Sequence, residues 1–309
     1  MTGGAREGAI LVLGGGGLLG HKLFQVLGAR YPGTWCTLRS SRTQAPWRDL
    51  ALFDGEQVID GLDVSDLNAL EQVLRELRPR VVINAIGAIK QRAEAQDPVT
   101  AITLNALLPH RVSRTVREWD GRVIHFSTDC VFSGRKGGYT EHDDADATDL
   151  YGRSKLLGEI GHDNELTLRT SFIGRELVHR QSLLEWLLAQ NPGTVKGFTR
   201  SWWSGVTSIH LAEIVADLVA RDVPLSGLYQ VSSGRISKHD LLVRLCDAFG
   251  LNITVEPDDA VACDRSLNGS RFAAATGYRF PGWEHLMEQL VNDPTPYHSG
   301  ADARAASRK

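Results

Sequence analysis

The chain has few cysteines, no long apolar run and no large excess of charge of either sign. Its four cysteines lie far apart among 309 residues and form no C-x-x-C pair, so we expect neither a zinc site nor a disulfide framework. Isolated cysteines fit a reducing compartment, which together with the lack of a signal-peptide cleavage pattern predicts a cytoplasmic protein. No window reaches the ~18 apolar residues of a membrane span, so no membrane partner is expected.

The charge is nearly balanced, with 34 basic and 37 acidic side chains and a net charge of −3. This balance gives no electrostatic reason to expect a nucleic-acid partner. A hydrophobic content of 42% with 23% charged residues is typical of a globular chain rather than a disordered one. Glycine is the residue in excess, with 31 copies. That excess indicates either flexible linkers or places where backbone approaches another group closely.

Short apolar runs alternate with helical patterns through the first half of the chain. Strands separated by helices in this way predict an α/β fold, a Rossmann-type doubly wound parallel sheet. The expected strands are Ala9–Leu13, Thr34–Leu38, Val81–Ile86, Arg122–Ser127 and Glu165–Thr170. The expected helices are Leu18–Leu27, Leu67–Leu77, Ala101–Val116 and Tyr151–Ile160.

A glycine-rich loop follows the first strand and opens the first helix. Gly14, Gly17 and Gly20 form a G-x-x-G-x-x-G pattern, with Leu18 and Leu19 inside it. In this setting the first glycine makes a tight turn, the second lets backbone approach a pyrophosphate, and the third lets helix and strand pack closely. The helix N-terminus then offers free N–H groups to the phosphates. The loop therefore predicts a dinucleotide site.

The end of the second strand indicates which dinucleotide binds. NAD usually needs an acidic residue there to hold the ribose 2′-hydroxyl. The segment instead carries Arg39, Ser40 and Arg42, which suit the 2′-phosphate of NADP, so NADPH/NADP is expected as cofactor rather than NAD. A solvated basic loop is the alternative interpretation. Asp63 and Val64 are further candidates, for contact with the adenine.

The pattern of predicted elements changes after Ser171, where helices alternate with only short extended segments. We expect residues 8–172 to form the NADP-binding Rossmann domain, with helix 207–221 returning to it. Residues 173–292 are expected to form mainly a smaller α+β substrate-binding portion. Residues 293–309 are polar and rich in Pro, Gly and Ala, which predicts a disordered tail.

Tyr151 and Lys155 form a Y-x-x-x-K pattern. Residues four apart share one face of a helix, so the phenol and the ammonium can enter one cleft. The ordinary tyrosine pKa of ~10 is too high for easy proton exchange, and a nearby lysine cation is expected to lower it. Thr128, which directly follows a strand, gives the pattern more weight.

At this point the chain resembles the extended short-chain dehydrogenase/reductases, and most closely their dTDP-4-dehydrorhamnose reductase-like branch. The segments that carry the resemblance are GGGGLLG, VVINAIGAI, TLNALLP, STDCVFSGRKGGYTE, YGRSKLLGE, LRTSFIG and SLNGSRF. The resemblance implies NADPH-dependent reduction of the 4-keto group of a nucleotide-linked 4-keto-6-deoxy sugar. It also allows a homodimer, because helix-pair dimers are frequent in this superfamily.

The resemblance assigns roles to particular residues. Thr128 would hydrogen-bond the substrate carbonyl, Tyr151 would deliver the proton, and Lys155 would hold the nicotinamide ribose. Asn105 matches a helix asparagine that is mainly structural in the family. The remaining cofactor-binding positions are the strand-end segment Asn84, Ala85, Ile86 and Gly87, and the nicotinamide-side pair Ser171 and Phe172.

Cys130 opens an alternative, because related GDP-fucose synthases carry a catalytic cysteine at that offset. The chain could then be an epimerase–reductase, with Cys130 paired with His179, although a buried apolar thiol is the more common role for cysteine. Sugar dehydratases place an Asp-Glu pair after the threonine; here Asp129 is followed by Cys130, which disfavours dehydration. A third interpretation is a non-catalytic subunit similar to the regulatory subunit of methionine adenosyltransferase.

The nucleotide-sugar substrate carries a dianionic pyrophosphate, for which arginine, lysine and stacking aromatics are suitable partners. Each of these side chains has a simpler interpretation, as a solvated surface charge or a core aromatic. The substrate-binding candidates are Lys90, Thr128, Asp129, Cys130, Arg200, Trp203 and Arg265.

Overall fold

A seven-stranded sheet forms the centre of the computed structural model, which describes residues 8–88, 96–221 and 224–297. The strands are β1 Ile10–Leu13, β2 Thr34–Thr37, β3 Val58–Ile59, β4 Val81–Asn84, β5 Arg122–Thr128, β6 Glu165–Thr170, β7 Phe172–Ile173, β8 Gly193–Phe198, β9 Ser201–Trp203, β10 Val206–Thr207, β11 Gly227–Gln230, β12 Ile236–Ser237, β13 Ile253–Asp258 and β14 Cys263–Asp264. The helices are α1 Gly20–Arg30, α2 Leu67–Leu77, α3 Pro98–Ala101, α4 Leu108–Val116, α5 Leu150–Leu157, α6 Leu183–Ala189, α7 Ser208–Ala220, α8 Lys238–Phe249, α9 Ser270–Thr276 and α10 Trp283–Val291.

The central sheet has the order β11-β6-β5-β4-β1-β2-β3, and every pairing in it is parallel. The strand order reverses at β1, whose neighbours are β2 and β4. In an open sheet of this kind, ligands bind beyond the carboxyl ends of the strands at that reversal. Helices cover both faces, and β1 and β4 are wholly buried. The Rossmann-type fold expected from the sequence is confirmed.

The later part of the chain contributes two elements to this sheet layer. Helix α7 packs its apolar residues, among them Leu211 and Val215, into the same core cluster as Leu23 and Leu27 of α1. Strand β11 pairs with β6, with Leu228 beside Thr167. The sheet therefore includes residues 227–230, which lie inside the segment expected to form the substrate-binding portion.

A second apolar cluster holds the smaller portion together. Strand β9 pairs with β12 and β14, and β8 pairs with β13. Helices α6, α8 and α10 pack beside these short sheets, and their buried side chains include Leu184, Leu241 and Leu286. None of the helices in the described part of the chain combines the length and the apolar character that crossing a bilayer requires.

The helix expected over Ala101–Val116 is interrupted by a π-helical segment, Ile102–Leu107. Its extra residue per turn lets Asn105 turn inward, where the side chain is fully buried. The Asn105 amide accepts a hydrogen bond from the Ala88 N–H at 2.8 Å and donates to Ser154 Oγ at 3.1 Å. Asn105 thus ties the end of β4 to α5.

Residues 293–297, here called the C-terminal strap, pack against α1, contrary to the expectation that a disordered tail begins at 293. The Asp293 carboxylate pairs with the Lys22 ammonium at 2.6 Å, and both side chains are almost fully buried. With their backbone included, Asp293, Thr295 and Tyr297 are half-buried, whereas the intervening prolines are exposed. Alternate residues of this D-P-T-P-Y segment therefore face the helix. Residues 298–309 lie outside the described part.

Candidate active site

The glycine loop has the close packing that only glycines permit. A Cβ on Gly20 would lie 1.9 Å from the Gly14 carbonyl oxygen, and Gly14 itself has a φ of +85°. The Gly17 N–H donates to that same oxygen at 3.0 Å. The loop is thus a compact turn at the N-terminus of α1 whose glycines 14–17 carry no side chains of their own, with the Trp47 ring packed against Gly16. These residues fit the pyrophosphate of a dinucleotide.

The residues expected to select NADP differ in how they are engaged. Arg39 is exposed and pairs with Asp63 at 3.2 Å. Ser40 Oγ accepts a hydrogen bond from the Trp47 indole N–H at 2.8 Å. The Arg42 guanidinium is already bound to the carbonyl oxygens of Phe53 and Gly55. Arg42 therefore braces the loop, and Arg39 is the cation of this set whose side chain is exposed.

Asp63 and Val64, which follow β3, lie close to the central sheet. Hydrogen bonds from the N–H and hydroxyl of Ser65 lower the pKa of Asp63, with a smaller contribution from Arg39. Val64 packs at the edge of the apolar cluster under α2. The Asp63 carboxylate is thus ionised at neutral pH, in the loop that is expected to contact the adenine.

The strand-end segment after β4 lies beside α5. Asn84 is buried, accepts a hydrogen bond from the Ile86 N–H at 3.1 Å, and contacts His125 Nδ1 at 3.1 Å. A Cβ on Gly87 would lie 3.8 Å from Lys155 Nζ, so this segment passes directly beside the lysine. Ala85, Ile86 and Gly87 therefore border the space in front of the proposed catalytic helix.

Thr128, Tyr151 and Lys155 come together at the carboxyl end of β5. Thr128 is the last residue of β5. Asp149 caps the N-terminus of α5, and Tyr151 and Lys155 lie on the first two turns of that helix. The Lys155 ammonium donates to the Phe126 carbonyl oxygen at 2.6 Å. Thr128 lies close enough to Tyr151 to act on the pKa of its phenol. Three residues that are 27 positions apart at most in the chain thus line one cleft.

Burial controls the protonation of this pair. It raises the pKa of Tyr151, with a further contribution from Cys130, and Thr128 acts in the opposite direction. Burial rather than Lys155 sets the pKa of Tyr151 in this structure, and a lowering by Lys155 together with the charge of a bound nicotinamide stays a prediction. Burial also lowers the pKa of Lys155 to about 8, partly opposed by Glu159. Tyr151 thus carries its proton at neutral pH, as a general acid must.

The turn after Thr128 carries an acid and a thiol beside two cations. The Thr128 hydroxyl donates to Asp129 at 3.1 Å, and the Cys130 N–H donates to the Thr128 oxygen at 3.1 Å. Burial raises the pKa of Asp129, while Lys238 and Arg265 act to lower it. Burial and Asp129 raise the pKa of Cys130 to about 12, so its thiol is protonated at neutral pH. Arg265 approaches the Cys130 sulfur at 3.9 Å.

A basic basin of about 630 Å³ adjoins this turn. Its lining includes Arg135, Lys136, Arg200, Trp202 and Arg235. The Arg235 guanidinium stacks 3.9 Å from the Trp202 ring and pairs with Asp264 at 2.5 Å. The basin also includes Ser133 and Gly134, which directly follow the catalytic turn. It therefore offers cations and an aromatic face next to Thr128 and Tyr151.

Some substrate-binding expectations change. Trp203 is 4% exposed and packs 5.5 Å from Trp283 in the second core, so it does not line the basin. Neighbouring residues of a strand face opposite sides, and it is Trp202 that faces the basin. Lys90 lies outside the described residues. Ser171 and Phe172 sit at β7, where the Ser171 carbonyl oxygen accepts the Val206 N–H at 3.0 Å.

The sequence analysis missed Lys238 as a site residue. Its ammonium lies 5.0 Å from the Trp203 ring and faces Asp129, Cys130 and Cys263. Burial lowers its pKa, and Arg265 adds to that effect. No local sequence pattern identifies Lys238, because Asp129 and Cys130 lie 109 and 108 residues before it in the chain. In the described part of the chain, no cluster of side chains suited to a metal ion occurs.

A parallel dinucleotide-binding sheet with a glycine loop and a Tyr-x-x-x-Lys pair beside a threonine defines an extended short-chain dehydrogenase/reductase. A family model described as the RmlD substrate binding domain matches residues 8–259, and the chain belongs to that family.

Individual relatives agree with this assignment. The dTDP-4-dehydrorhamnose reductase of Salmonella typhimurium is 29% identical over 279 residues, which cover 82% of this chain and 92% of the relative. Methionine adenosyltransferase 2 subunit beta of Pongo abelii is 24% identical over 257 residues, covering 78% and 72%. The Bacillus anthracis dTDP-4-dehydrorhamnose reductase, solved in complex with NADP, superposes with a TM-score of 0.75 at 20% identity and covers 93% of this chain and 99% of its own.

Proposed function

We propose that the protein is an NADPH-dependent reductase acting on the 4-keto group of a nucleotide-linked 4-keto-6-deoxy sugar. The observation that carries the proposal is the convergence of Thr128, Tyr151 and Lys155 beside the glycine loop, with a basic basin on the other side. The reductase relatives support the same substrate class. The tight glycine turn and the exposed Arg39 support NADP as the cofactor.

Each residue of the cleft has a part in this reaction. NADPH supplies a hydride when it is bound, with its pyrophosphate held at Gly14, Gly17 and Gly20. Lys155 would hold the nicotinamide ribose. Thr128 donates a hydrogen bond to the substrate carbonyl, and the protonated Tyr151 transfers its proton to that oxygen as the carbon is reduced.

The basic basin suits the remainder of such a substrate. A diphosphate carries two negative charges, and Arg135 and Arg200 contribute cations to the lining of the basin. The exposed part of the Trp202 ring offers a stacking surface for a base or sugar. We propose that the nucleoside diphosphate lies in this basin, which leaves the sugar directed toward Thr128.

The test is an NADPH-oxidation assay with a panel of dTDP-, UDP-, GDP- and CDP-linked 4-keto-6-deoxy sugars. We expect turnover with at least one member, and competitive inhibition by the matching free nucleoside diphosphate that weakens in Arg200→Gln. Absence of turnover with every sugar, although NADPH binds, would contradict a reductase. That result would favour the binding-subunit alternative, to which the methionine adenosyltransferase relative corresponds.

The position of the Cys130 thiol keeps the epimerase–reductase alternative open. Cys130 lies on the catalytic turn, and its protonated thiol could give a proton to the carbon beside the ketone. Reduction in deuterated water separates the two activities. A simple reductase leaves that carbon free of deuterium, and Cys130→Ser then keeps its rate. An epimerase–reductase incorporates deuterium and loses the incorporation in Cys130→Ser.

We also propose a homodimer through the continuous helical stretch 98–116 (α3, the π-helical segment and α4) and α5. Apolar side chains are exposed there, with Val99 of α3 at 72% and Leu157 of α5 at 64%. Leu107 is exposed on the same stretch, and His110 Nε2 lies 2.7 Å from the Leu157 carbonyl oxygen, which joins the two helices. An exposed apolar face of this kind is typical of an interface between copies.

A further inference from the structure

The C-terminal strap is fixed to α1 by a buried ion pair and its neighbours. The Lys22 ammonium donates to Asp293 Oδ1 at 2.7 Å and to Thr295 Oγ1 at 2.5 Å. Burial alone would raise the pKa of Asp293, but hydrogen bonds from Lys22 and Tyr297 outweigh it and lower that pKa. The carboxylate is therefore charged at neutral pH. A charged pair with almost no solvent exposure holds the strap in one place.

Tyr297 connects this anchored strap to the glycine loop through His21. His21 is fully buried, and its Nδ1 lies 2.9 Å from the Gly17 carbonyl oxygen. Because a carbonyl only accepts, Nδ1 carries the proton and Nε2 is the acceptor in the neutral ring. Burial lowers the pKa of His21 to about 4, which keeps the ring neutral. The single proton of the Tyr297 hydroxyl is shared between two acceptors, Asp293 Oδ2 at 2.7 Å and His21 Nε2 at 2.9 Å.

Tyr297 also contacts the nicotinamide side of the proposed cofactor site. The Arg175 guanidinium lies 4.7 Å from the centre of the Tyr297 ring. Arg175 follows β7, whose Phe172 is one of the expected nicotinamide-side residues, and its Nε donates to Glu185 at 2.6 Å. One side chain near the end of the chain thus bridges the glycine loop and the loop after β7.

The Gly17 peptide is the point at which this chain of contacts reaches the proposed ligand. The Gly17 carbonyl oxygen, whose peptide unit also carries the Leu18 N–H, accepts from both the His21 ring and the His21 backbone N–H. The Gly17 N–H, in the preceding peptide unit, donates to Gly14. Rotation of the peptide between Gly17 and Leu18 would change the direction of the backbone groups that face a pyrophosphate. The His21 ring holds the peptide in one orientation, and Tyr297 holds the ring.

We propose that His21 and Tyr297 are positioning residues for dinucleotide binding, acting through the Gly17 peptide and anchored by the C-terminal strap. This inference rests on the proposed NADP cofactor. Neither residue touches the cofactor in this scheme. Their effect is to preorganise the loop, so that binding does not have to order it.

The test compares two tyrosine-to-phenylalanine variants of the full chain by NADPH fluorescence titration and thermal unfolding. Tyr297→Phe removes the hydroxyl that contacts His21. Tyr278→Phe is the matched control, because its hydroxyl contacts His210 Nε2 at α7, away from the glycine loop. We expect Tyr297→Phe to raise the Kd for NADPH about fivefold, as for the loss of one buried hydrogen bond. Tyr278→Phe lowers the Tm but leaves the Kd unchanged.

A second measurement needs no cofactor. Amide hydrogen exchange over residues 14–21 should be faster in Tyr297→Phe than in the wild type and in Tyr278→Phe. An unchanged Kd together with unchanged exchange in Tyr297→Phe would overturn the positioning role and leave the proposed function intact. A wild-type protein that binds no NADPH would instead overturn the proposed cofactor, and with it a role of the strap in binding it.

Discussion

At the scale of single residues, the proton of Tyr151 is the feature on which the proposed chemistry depends. Burial raises the pKa of this phenol and keeps it protonated, against an opposing effect of Thr128. A protonated phenol is the right state for reduction, in which the oxygen of the substrate must gain a proton. The buried site therefore supplies the protonation state that the proposed reduction needs at neutral pH.

We expect Tyr151→Phe to lower kcat by at least about 10²-fold, because general acid catalysis contributes that much or more. The Kd for NADPH should stay within about twofold of the wild type, since the phenol is not one of the groups that hold the pyrophosphate. Steady-state kinetics and fluorescence titration measure the two quantities. Full turnover in this variant would exclude Tyr151 as the proton donor.

The lowered pKa of Lys155 predicts a pH-dependent stability. Between pH 8 and about 10.5 the unfolded chain binds more protons at this lysine than the folded chain, so stability rises with pH there. At pH 7 the buried ammonium costs on the order of 3 kcal/mol. Lys155→Met should remove this cost and this contribution to the slope. Urea unfolding at pH 7 and pH 10 checks it, and an unchanged slope would show that Lys155 does not titrate in this range.

The convergence of the proposed catalytic residues could be predicted from the sequence because each lies in a local pattern. Tyr151 and Lys155 share one helix face, and Thr128 ends a strand. Which of two adjacent tryptophans faces the basin could not be predicted in the same way. Trp202 and Trp203 are adjacent, and only the pairing of β9 with β12 and β14 decides which one is buried. Lys238 and Asp129 are 109 residues apart in the chain, so no local spacing reveals the contact.

At the scale of elements, the glycine loop and α1 act as one rigid unit. Gly20 is the first residue of α1, and any side chain there would collide with the Gly14 carbonyl oxygen. Gly28 lies later in the same helix, and a Cβ there would meet nothing within 4 Å. The two glycines therefore differ only in what surrounds them, which makes them a matched pair for mutation.

We expect Gly20→Ala to abolish NADPH binding or to lower the affinity by more than tenfold, because the turn must open to admit the methyl group. Gly28→Ala should bind NADPH normally and gain about 0.5–1 kcal/mol of stability, since alanine is the better helix former. Titration and urea unfolding give both values. Normal NADPH binding by Gly20→Ala would show that the tight turn is not required.

The helical elements also show where sequence patterns stop being informative. The periodicity of Ala101–Val116 predicts one helix, and the structure has a π-helical segment in its middle. One extra residue shifts the face by a fraction of a turn, which apolar spacing alone does not reveal. The reason lies in tertiary contacts, because the Asn105 amide must reach Ala88 and Ser154.

At the scale of the whole molecule, the exposed apolar residues of α3, the π-helical segment and α5 predict the oligomeric state. Leu157→Glu places a charge on this face without touching the buried side of α5, on which Lys155 lies. We expect the wild type to sediment as a dimer and the variant as a monomer with an unchanged Tm of the isolated subunit. If the wild type and Leu157→Glu sediment with the same mass, this face is not the dimer interface.

The C-terminal strap shows why composition wrongly predicted disorder for residues 293–297. Prolines and small polar residues usually mark a tail that cannot bury enough apolar surface to stay ordered. Here the prolines restrict the backbone, and three alternate side chains find partners on α1, at Lys22 and His21. Sequence statistics do not include partners that are more than 270 residues away.

The placement of β11 has a consequence for how the protein is made. Strand β6 ends at Thr170, yet its outer neighbour in the sheet is not synthesised until Gln230, after most of the smaller portion. A nascent chain must therefore keep one edge of its main sheet unpaired while some sixty further residues leave the ribosome, a stretch in which open strand edges are prone to association. Truncation before Gly227 should for the same reason yield aggregates during expression rather than a smaller soluble cofactor-binding protein.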